Sequence, residues 1–393
     1  MKLLRITTVP SSLSILLKGQ LRFMQENGFE VIAVSSDGNL VTDFISNEAC
    51  RHVVIPMTRT ISPIADLKAL ITMCKLLRKE KPMIVHSHTP KAGMVAMLAA
   101  YVTRVPIRLH TVAGLPLMEA KGIKRMVLNA VEKITYACAS KVYSNSAKLA
   151  RFIIEQGFAK PGKIKVLGNG SSNGIDTEYY QAGVGIIAQA KEMKKELGIN
   201  NRNFVFIYVG RLVKNKGISE LIQAFKQAQK IYPITRLLLL GEQEPELDPL
   251  KKETIEEIKT NPNIISAGFQ KDIRPFLALS NVLVFPSYRE GFPNVPMQAG
   301  CFGLPSIVAN INGCNEIIEH MKNGLIIPAK DTDALFCAME KLIVDKPAYL
   351  SMKENARKMI VERYEQKMIW KLLLEEYQLQ LRMHEERAFR KAI

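Results

Sequence analysis

The sequence lacks the cysteine patterns of metal-binding, redox and disulfide-rich proteins. Its six cysteines are scattered, and no two of them have the spacing of a metal-ligand or dithiol pair. We therefore expect buried thiols in a reducing compartment. The sequence also lacks the GxGxxG fingerprint, so nothing in it argues for a dinucleotide cofactor.

Long hydrophobic runs are missing as well. The longest candidate covers residues 92 to 102 and contains Tyr101, which is too short for the roughly 20 residues of a membrane span. Arg5, Thr7 and Thr8 interrupt any apolar core of a signal peptide. We expect a cytoplasmic protein that meets a membrane only at its surface.

Acidic residues are few relative to basic ones. The chain has 37 Asp and Glu against 54 Lys and Arg, a net charge of +17, and residues 1 to 190 carry +12 of it. Such an excess predicts an anionic partner, which could be nucleic acid, a phosphorylated substrate or an anionic membrane. We expect the N-terminal half to face it.

What is present is a repeated alternation of strands and helices. A chain of 393 residues is too long for one core, and this alternation predicts two doubly wound parallel sheets with ligands at the carboxyl ends of their strands. The predicted N-terminal domain covers residues 1–185 and the C-terminal domain residues 195–370. A turn-rich stretch, residues 168 to 176, precedes the linker.

Three strand ends of the N-terminal half carry polar side chains. Ser11, Ser12 and Ser14 form a predicted polar turn after the first strand. His88 follows a later strand and shares a face with His86; no further ligands have suitable spacing for a metal site. His110 closes the next predicted strand, where it could donate to an oxyanion or a sugar hydroxyl, or serve the fold alone.

A predicted helix over residues 121 to 141 has an apolar stripe beside four basic residues. A packed helix with a solvated face explains this pattern. A basic amphipathic face lying on anionic lipid explains it too.

In the C-terminal half, Arg211 and Lys216 follow a strand that ends at Gly210. Two cations and loop amides could hold a diphosphate, although exposed basic residues on a surface loop remain the alternative. The stretch from 287 to 300 reads SYREGFPNVPMQAG and places Glu290 between a buried strand and a helix predicted from residue 297. Helix N-termini of this kind favour anions and polyhydroxyl oxygens; an ordinary strand-to-helix turn is the alternative.

These motifs resemble glycosyltransferase family 4, whose GT-B architecture has two Rossmann-like domains facing a cleft. The matching segments, in order, are GRL with KG at 210–217, LG at 240–241, GF at 268–269, PSYREGFPN at 286–294, GLP at 303–305, GCNE at 313–316 and NG at 323–324. HTP at 88–90, HT at 110–111 and NGID at 173–176 are similar to the family's N-terminal half.

The resemblance implies roles for the matched positions. The implied catalytic residues are His110, Glu290, Arg211 and Lys216. The implied donor-binding residues are Gly210, Arg211, Lys216, Gly241, Glu242, Gly268, Phe269, Glu290, Gly291, Phe292, Asn294 and Gln298. The implied acceptor-binding residues are Ser11, Ser12, Ser14 and His88. Neither a metal nor another cofactor is implied, and residues 371–393 would form a helix that packs back on the N-terminal domain.

Gln298 departs from the family pattern. The family has a second glutamate at this position, which accepts hydrogen bonds from ribose hydroxyls. A glutamine keeps an acceptor oxygen but loses the charge.

The resemblance thus implies a retaining, metal-independent transfer of a hexose or N-acetylhexosamine from a nucleotide sugar, expected to be UDP-linked. The expected acceptor is a polyprenyl-diphosphate-linked sugar, and the expected location is the inner face of the plasma membrane. One alternative is a UDP-sugar epimerase, but only Glu290 is a convincing acid or base. A nucleic-acid binder is suggested by charge alone, and aromatic residues are just 7%.

Overall fold

The computed structural model describes residues 1–39, 41–58, 60, 62–115, 117, 120–244, 246 and 248–392. The chain divides into two compact units. The N-terminal unit comprises Met1–Gly174 and the chain from Gln366 on, and the C-terminal unit is Ile175–Glu365. The first boundary falls inside the turn-rich stretch rather than after it. Its position follows from Ile175, whose N–H donates to the Tyr364 carbonyl 2.8 Å away and so ties it to the C-terminal unit.

The N-terminal unit alternates strands and helices almost throughout. Its elements are β1 Lys2–Ile6, α1 Pro10–Leu16, α2 Gln20–Glu26, β2 Glu30–Ser35, α3 Val41–Glu48, β3 Arg51–Val54, α4 Pro63–Glu80, β4 Ile84–Ser87, α5 Pro90–Val102, β5 Ile107–Val112, α6 Gly122–Cys138, β6 Lys141–Ser144, α7 Ala147–Glu155, a 3₁₀ turn Pro161–Lys163 and β7 Ile164–Val166.

Seven parallel strands form the sheet of this unit in the order β3-β2-β1-β4-β5-β6-β7. Both faces are covered by helices, so successive residues of a strand enter different cores. Leu4 and Ile6 pack with α4 and α5, while Leu3 packs with α1 and α2. The strand order reverses between β1 and β4, which is the point where such sheets bind ligands.

The segment after β1 is helical, and the predicted polar turn there is wrong. Pro10 occupies the first turn of α1, where its missing N–H costs no hydrogen bond. Leu13 is buried in the core. Ser11, Ser12 and Ser14 therefore lie on a short helix at the carboxyl end of β1.

The C-terminal unit has the same alternating order. Its elements are α8 Val184–Glu196, β8 Phe204–Val209, a 3₁₀ turn Lys214–Lys216, α9 Ile218–Ile231, β9 Thr235–Leu240, α10 Lys252–Thr260, β10 Ile264–Gly268, α11 Arg274–Leu279, β11 Val282–Phe285, α12 Asn294–Cys301, β12 Ser306–Ala309, α13 Cys314–Ile317, β13 Gly324–Ile327, α14 Thr332–Val344 and α15 Lys346–Tyr364.

Its sheet has six parallel strands in the order β10-β9-β8-β11-β12-β13, and the order reverses between β8 and β11. The apolar runs of these strands are buried nearly from end to end, as in Val282–Phe285, because helices cover both faces. The prediction of two doubly wound parallel sheets is confirmed.

The C-terminal helix, α16 Gln366–Ala392, belongs to the N-terminal unit and begins before residue 371. Trp370 fixes its first turns: the indole N–H donates to Asn173 Oδ1 at 2.7 Å, and its ring lies 5.5 Å from that of Phe23. Further along, Glu376 accepts hydrogen bonds from Tyr143 and Lys165. In the described chain, no helix is both long and apolar enough to span a bilayer.

Candidate active site

The switch point of the C-terminal unit is where the loops after β8 and β11 touch. Gly217 makes this contact possible: its φ is +72°, and a Cβ there would lie 2.2 Å from the Pro286 carbonyl oxygen. Any other residue would push the loops apart. Tyr288 N–H donates to the Asn215 carbonyl at 2.9 Å, which joins the loops a second time.

Lys216 and Glu290 form an ion pair across these joined loops. The Ser287 hydroxyl also donates to Glu290 Oε1, at 2.8 Å. The Lys216 and Glu290 side chains keep 17% and 15% of their surface exposed, so both can be reached from solvent. We call Lys216, Ser287 and Glu290 the Lys216–Glu290 cluster. It offers one cation and one carboxylate acceptor at a ligand-binding edge.

Arg211 lies on the same loop but has a different partner. Its Nη1 is 2.7 Å from Glu244 Oε2, and its side chain is 54% exposed. The buried Tyr208 hydroxyl donates to the Arg211 carbonyl at 2.9 Å and fixes the backbone there. The structure therefore brings Lys216 and Glu290 together. Arg211 is close to Lys216 in the sequence, but its exposed side chain pairs with Glu244 instead.

Glycines at the ends of β8 and β9 allow two strand ends to approach closely. A Cβ on Gly241, where φ is +141°, would lie 1.9 Å from the Gly210 carbonyl oxygen. The next strand end is joined to them by the Gly241 N–H, which donates to the Gly268 carbonyl at 2.8 Å. Glu242 is exposed, and Phe269 exposes 71% of its surface. An aromatic ring this exposed is available for stacking.

The loop from Glu290 leads into α12, which begins at Asn294 rather than at residue 297. Pro293 caps the helix and has no N–H to offer. The Asn312 side chain donates to the Gly291 carbonyl at 2.8 Å and holds the loop. Phe292 packs edge-on against Tyr364, with ring centroids 5.5 Å apart.

Gln298 on α12 binds a residue that sequence reasoning missed. Its Nε2 donates to the Tyr180 hydroxyl at 2.7 Å, which leaves its carbonyl oxygen as an acceptor. Burial raises the pKa of Tyr180 to about 12. No sequence signal pointed to this pairing, because Tyr180 lies 118 positions away in the chain.

The rings of His88 and His86 lie 4.1 Å apart inside the N-terminal unit, with their planes tilted by 35°, and both rings are buried. The Arg5 Nε donates to His88 Nε2 at 3.1 Å, and the Arg5 guanidinium also bonds Gln20. We call Arg5, Gln20, His86 and His88 the buried polar cluster. Burial holds the pKa of both histidines well below the usual range, so they are neutral at pH 7. His88 is thus enclosed and does not line an open surface.

His110 is also enclosed. The strand that it was predicted to close is β5, which continues for two more residues to Val112. Its Nδ1 lies 2.8 Å from the Ser87 hydroxyl, and a Cβ on Gly93 would lie 2.4 Å from its ring. Burial lowers its pKa to about 4. Helix α5 packs over this ring at Gly93, and the contact of His110 with a sugar stays a prediction.

Among the residues that the structure describes, no group of three or more His, Cys, Asp or Glu side chains could hold a metal ion. The charges at the C-terminal switch point come from side chains. The arrangement can bind a polyhydroxyl or phosphorylated ligand through Lys216, Glu290 and the surrounding loops.

A family model described as glycosyl transferases group 1 matches residues 189–359, and one described as a glycosyl transferase 4-like domain matches residues 18–170. The capsular polysaccharide biosynthesis glycosyltransferase CapM of Staphylococcus aureus is 39% identical over 95% of this chain and 95% of its own length. This chain belongs to the group 1 glycosyltransferases. The predicted family and the predicted class of enzyme are confirmed.

Two further comparisons place this glycosyltransferase among known proteins. The UDP-Gal:alpha-D-GlcNAc-diphosphoundecaprenol alpha-1,3-galactosyltransferase of Escherichia coli is 29% identical over 86% of this chain and 85% of its own length. The crystal structure of Anabaena Alr3699/HepE in complex with UDP matches with a TM-score of 0.81 at 19% identity, covering 96% of this chain and 100% of that one. At that identity the match establishes the fold, which is GT-B.

Proposed function

We propose that this glycosyltransferase moves a hexose or N-acetylhexosamine from a UDP-linked sugar to a lipid-linked saccharide during the synthesis of a cell-surface polysaccharide. The observation that carries the proposal is the Lys216–Glu290 cluster at the switch point of the C-terminal sheet. A cation and a carboxylate lie side by side there, and a sugar diphosphate offers phosphate oxygens to the first and hydroxyls to the second.

In this proposal Lys216 and the exposed Arg211 bind the donor diphosphate. Negative charge grows on the departing UDP as the glycosidic bond breaks, and cations fixed at that position stabilise it. Glu290 and the loop through Gly291 and Asn294 accept and donate hydrogen bonds to the sugar hydroxyls. The exposed Phe269 ring and the Gly268 segment lie at the next strand end and bind the base.

The donor and acceptor classes are supported by the relatives. The E. coli relative is named for UDP-Gal and a GlcNAc-diphosphoundecaprenol. A Campylobacter jejuni relative, 25% identical over 76% of this chain, is named as an N,N'-diacetylbacillosaminyl-diphospho-undecaprenol alpha-1,3-N-acetylgalactosaminyltransferase. Both names describe alpha products, which supports retention of configuration, because UDP-hexoses such as UDP-Gal carry an alpha linkage.

Metal independence is proposed because Lys216 and Arg211 already supply positive charge where a metal would otherwise be needed. A lipid-linked acceptor also implies that the enzyme works at a membrane surface, on the inner face where nucleotide sugars are found. Ser11, Ser12 and Ser14 on α1 follow the strand end at the N-terminal switch point and are the acceptor contacts we propose. No nucleic acid takes part.

The proposal is tested first by thermal unfolding with a panel of nucleotide sugars. A true donor at 100 times its dissociation constant raises the free energy of unfolding by about 2.7 kcal/mol. The donor found in this way is then incubated with a polyprenyl-diphosphate-linked saccharide, with and without a chelator. We expect an alpha-linked product and unchanged turnover with the chelator. An isomerised donor formed without an acceptor would instead identify an epimerase.

A further inference from the structure

Helix α6 presents an apolar stripe to solvent. Ile123 and Met126 expose 80% and 70% of their surface, and Val127 and Ile134 are exposed as well. These residues are spaced by three, four and seven positions, so they lie on one side of the helix. The sequence predicted this stripe but left open whether it packs inside the protein. In the structure it does not.

Helix α4 has a second exposed stripe, which the sequence did not single out. Ile64, with 74% of its surface exposed, is followed by Leu67 and Ile71 at the spacing of one helix face. The opposite side of α4 is buried through Ala69, Met73 and Leu77. Apolar residues therefore occupy both the buried side and the exposed side of α4 and of α6.

The two stripes face outward on the same side of the sheet. Helix α5 packs between α4 and α6. The buried sides of all three helices enter one core, through residues such as Met73, Ala96 and Tyr136, so their exposed sides share one outer surface. We call Ile64, Leu67, Ile71, Ile123, Met126 and Val127 the α4–α6 face.

The charges around this face have one sign. Exposed lysines and arginines accompany both stripes; they are Lys68, Lys75, Arg78, Lys79, Lys121, Lys124 and Lys133. The acidic residues of the three helices are not available to balance them. Glu80 and Glu132 are buried, and Asp66 is bound by Lys91 at 2.5 Å. The face is thus apolar and basic, which is complementary to an anionic lipid bilayer.

We propose that the α4–α6 face docks this enzyme onto an anionic phospholipid bilayer; this rests on the proposed function, in which the acceptor is lipid-linked. Both helices follow parallel strands, so their first turns, which carry Ile64 and Ile123, lie at the carboxyl edge of the sheet, where ligands bind.

The test is sedimentation with phosphatidylglycerol vesicles and with phosphatidylcholine vesicles. We expect the wild-type enzyme to bind the anionic vesicles at least about tenfold more tightly, and binding to weaken as salt is raised. The combined variant Ile64→Glu, Ile123→Glu and Met126→Glu is expected to lose at least about tenfold in binding.

A matched control places the same three charges on the C-terminal unit. Ile231, Ile234 and Val344 are exposed apolar residues there, and the variant Ile231→Glu, Ile234→Glu and Val344→Glu is expected to keep wild-type binding apart from the small effect of its net charge. Equal losses in the two variants would overturn the proposal. So would a wild-type enzyme without preference for anionic vesicles, or a dimer that covers the α4–α6 face and that the first variant dissociates.

Stabilisation by UDP separates this proposal from the proposed function. The α4–α6 variant is expected to be stabilised by UDP as the wild type is, because the Lys216–Glu290 cluster lies in the other unit. A wild-type enzyme that UDP stabilises but that does not bind anionic vesicles would overturn the docking surface alone. Vesicle binding without UDP stabilisation would overturn the proposed donor site instead.

Discussion

The two switch points of this enzyme carry polar side chains that differ in access to solvent. In the C-terminal unit, Lys216 and Glu290 are partly exposed and held by loop contacts. In the N-terminal unit, Arg5, His86 and His88 are almost fully buried, with Gln20 of α2 and Tyr377 of α16 among their hydrogen-bond partners. Both sets of side chains lie near the point where the strand order reverses, which is where parallel sheets bind ligands. Only the set in the C-terminal unit can meet a ligand without rearrangement.

The difference shows that a polar residue near a strand end is weak evidence for a ligand site until its covering elements are known. Tyr377 of α16 lies 2.6 Å from His86 Nδ1, so a helix from the far end of the chain closes this part of the N-terminal unit. Among the described side chains, Arg5 Nη1 and His88 Nδ1 find no partner there. Because Tyr377 covers the buried polar cluster, we expect the cluster to serve the fold of that unit.

The strongest test of this contrast removes the cation of the C-terminal site. Lys216→Ala is expected to lower kcat by about 100- to 1,000-fold, or about 2.7 to 4 kcal/mol, because the charge of the leaving diphosphate loses its partner. Glu290→Ala is expected to act similarly through the donor sugar. Initial rates of UDP release measure both effects.

Lys226→Ala is the matched control, since Lys226 forms an exposed ion pair with Glu257 at 2.5 Å in the same unit. It is expected to keep wild-type rates. Near-normal turnover in both Lys216→Ala and Glu290→Ala would remove the Lys216–Glu290 cluster from the mechanism.

Arg5→Ala tests the other half of the contrast. It leaves a cavity and removes the donors to His88 and Gln20, so we expect the free energy of unfolding to fall by about 3 kcal/mol. UDP is expected to stabilise the variant as much as the wild type. Urea unfolding with and without UDP measures both quantities. A stable variant that has lost only UDP binding would contradict a structural role.

Glu132 offers a pH test of burial in the N-terminal unit. Burial raises its pKa from 4.5 to about 7, so the unfolded chain ionises first as the pH rises. The stability that the protonated Glu132 carboxyl group gives to the folded state is complete below pH 4.5 and is lost by about pH 7. Glu132→Gln should therefore gain about 3 kcal/mol relative to the wild type between pH 4.5 and pH 8.

Urea unfolding at the two pH values measures this gain, because contributions from other groups cancel in the difference. Glu155→Gln, at an exposed site on α7, is expected to show no such change. A difference between Glu132→Gln and the wild type that is independent of pH would show that the carboxyl group is not held protonated.

The smallest expected effect concerns Gln298. Gln298→Glu restores the charged acceptor of the family pattern and should tighten UDP binding by about two- to fivefold, since hydrogen bonds to charged groups are somewhat stronger. Gln298→Leu should weaken it. Titration calorimetry with UDP measures both. Unchanged affinity in the leucine variant would show that this position does not touch the ribose.

Regular alternation made the fold predictable from the sequence. The run of leucines between a turn and Gly241 predicts a strand over residues 235 to 240, and β9 has these bounds. The glycine positions also predicted the loops of the C-terminal site. Helices α3, α10 and α11 and strand β13 were not predicted. They are short, and β13 begins at Gly324 and has only four residues.

The remaining differences arise from tertiary contacts that no local pattern encodes. His110 has the sequence position of a cleft residue, but Gly93 of α5 lets that helix lie directly against its ring. Tyr180 meets Gln298 through its hydroxyl, while Arg357 donates to the Tyr180 carbonyl at 3.1 Å. Whether the α6 stripe is exposed likewise depends on which other elements pack against it, and a hydropathy pattern cannot show that.

The assignment of Lys216 to the donor site is checked by a structure of the enzyme with bound UDP. It predicts a diphosphate oxygen within about 3 Å of Lys216 Nζ, at the switch point between β8 and β11. A UDP diphosphate bound elsewhere, with the Lys216–Glu290 ion pair unchanged and the loops after β8 and β11 untouched, would contradict it.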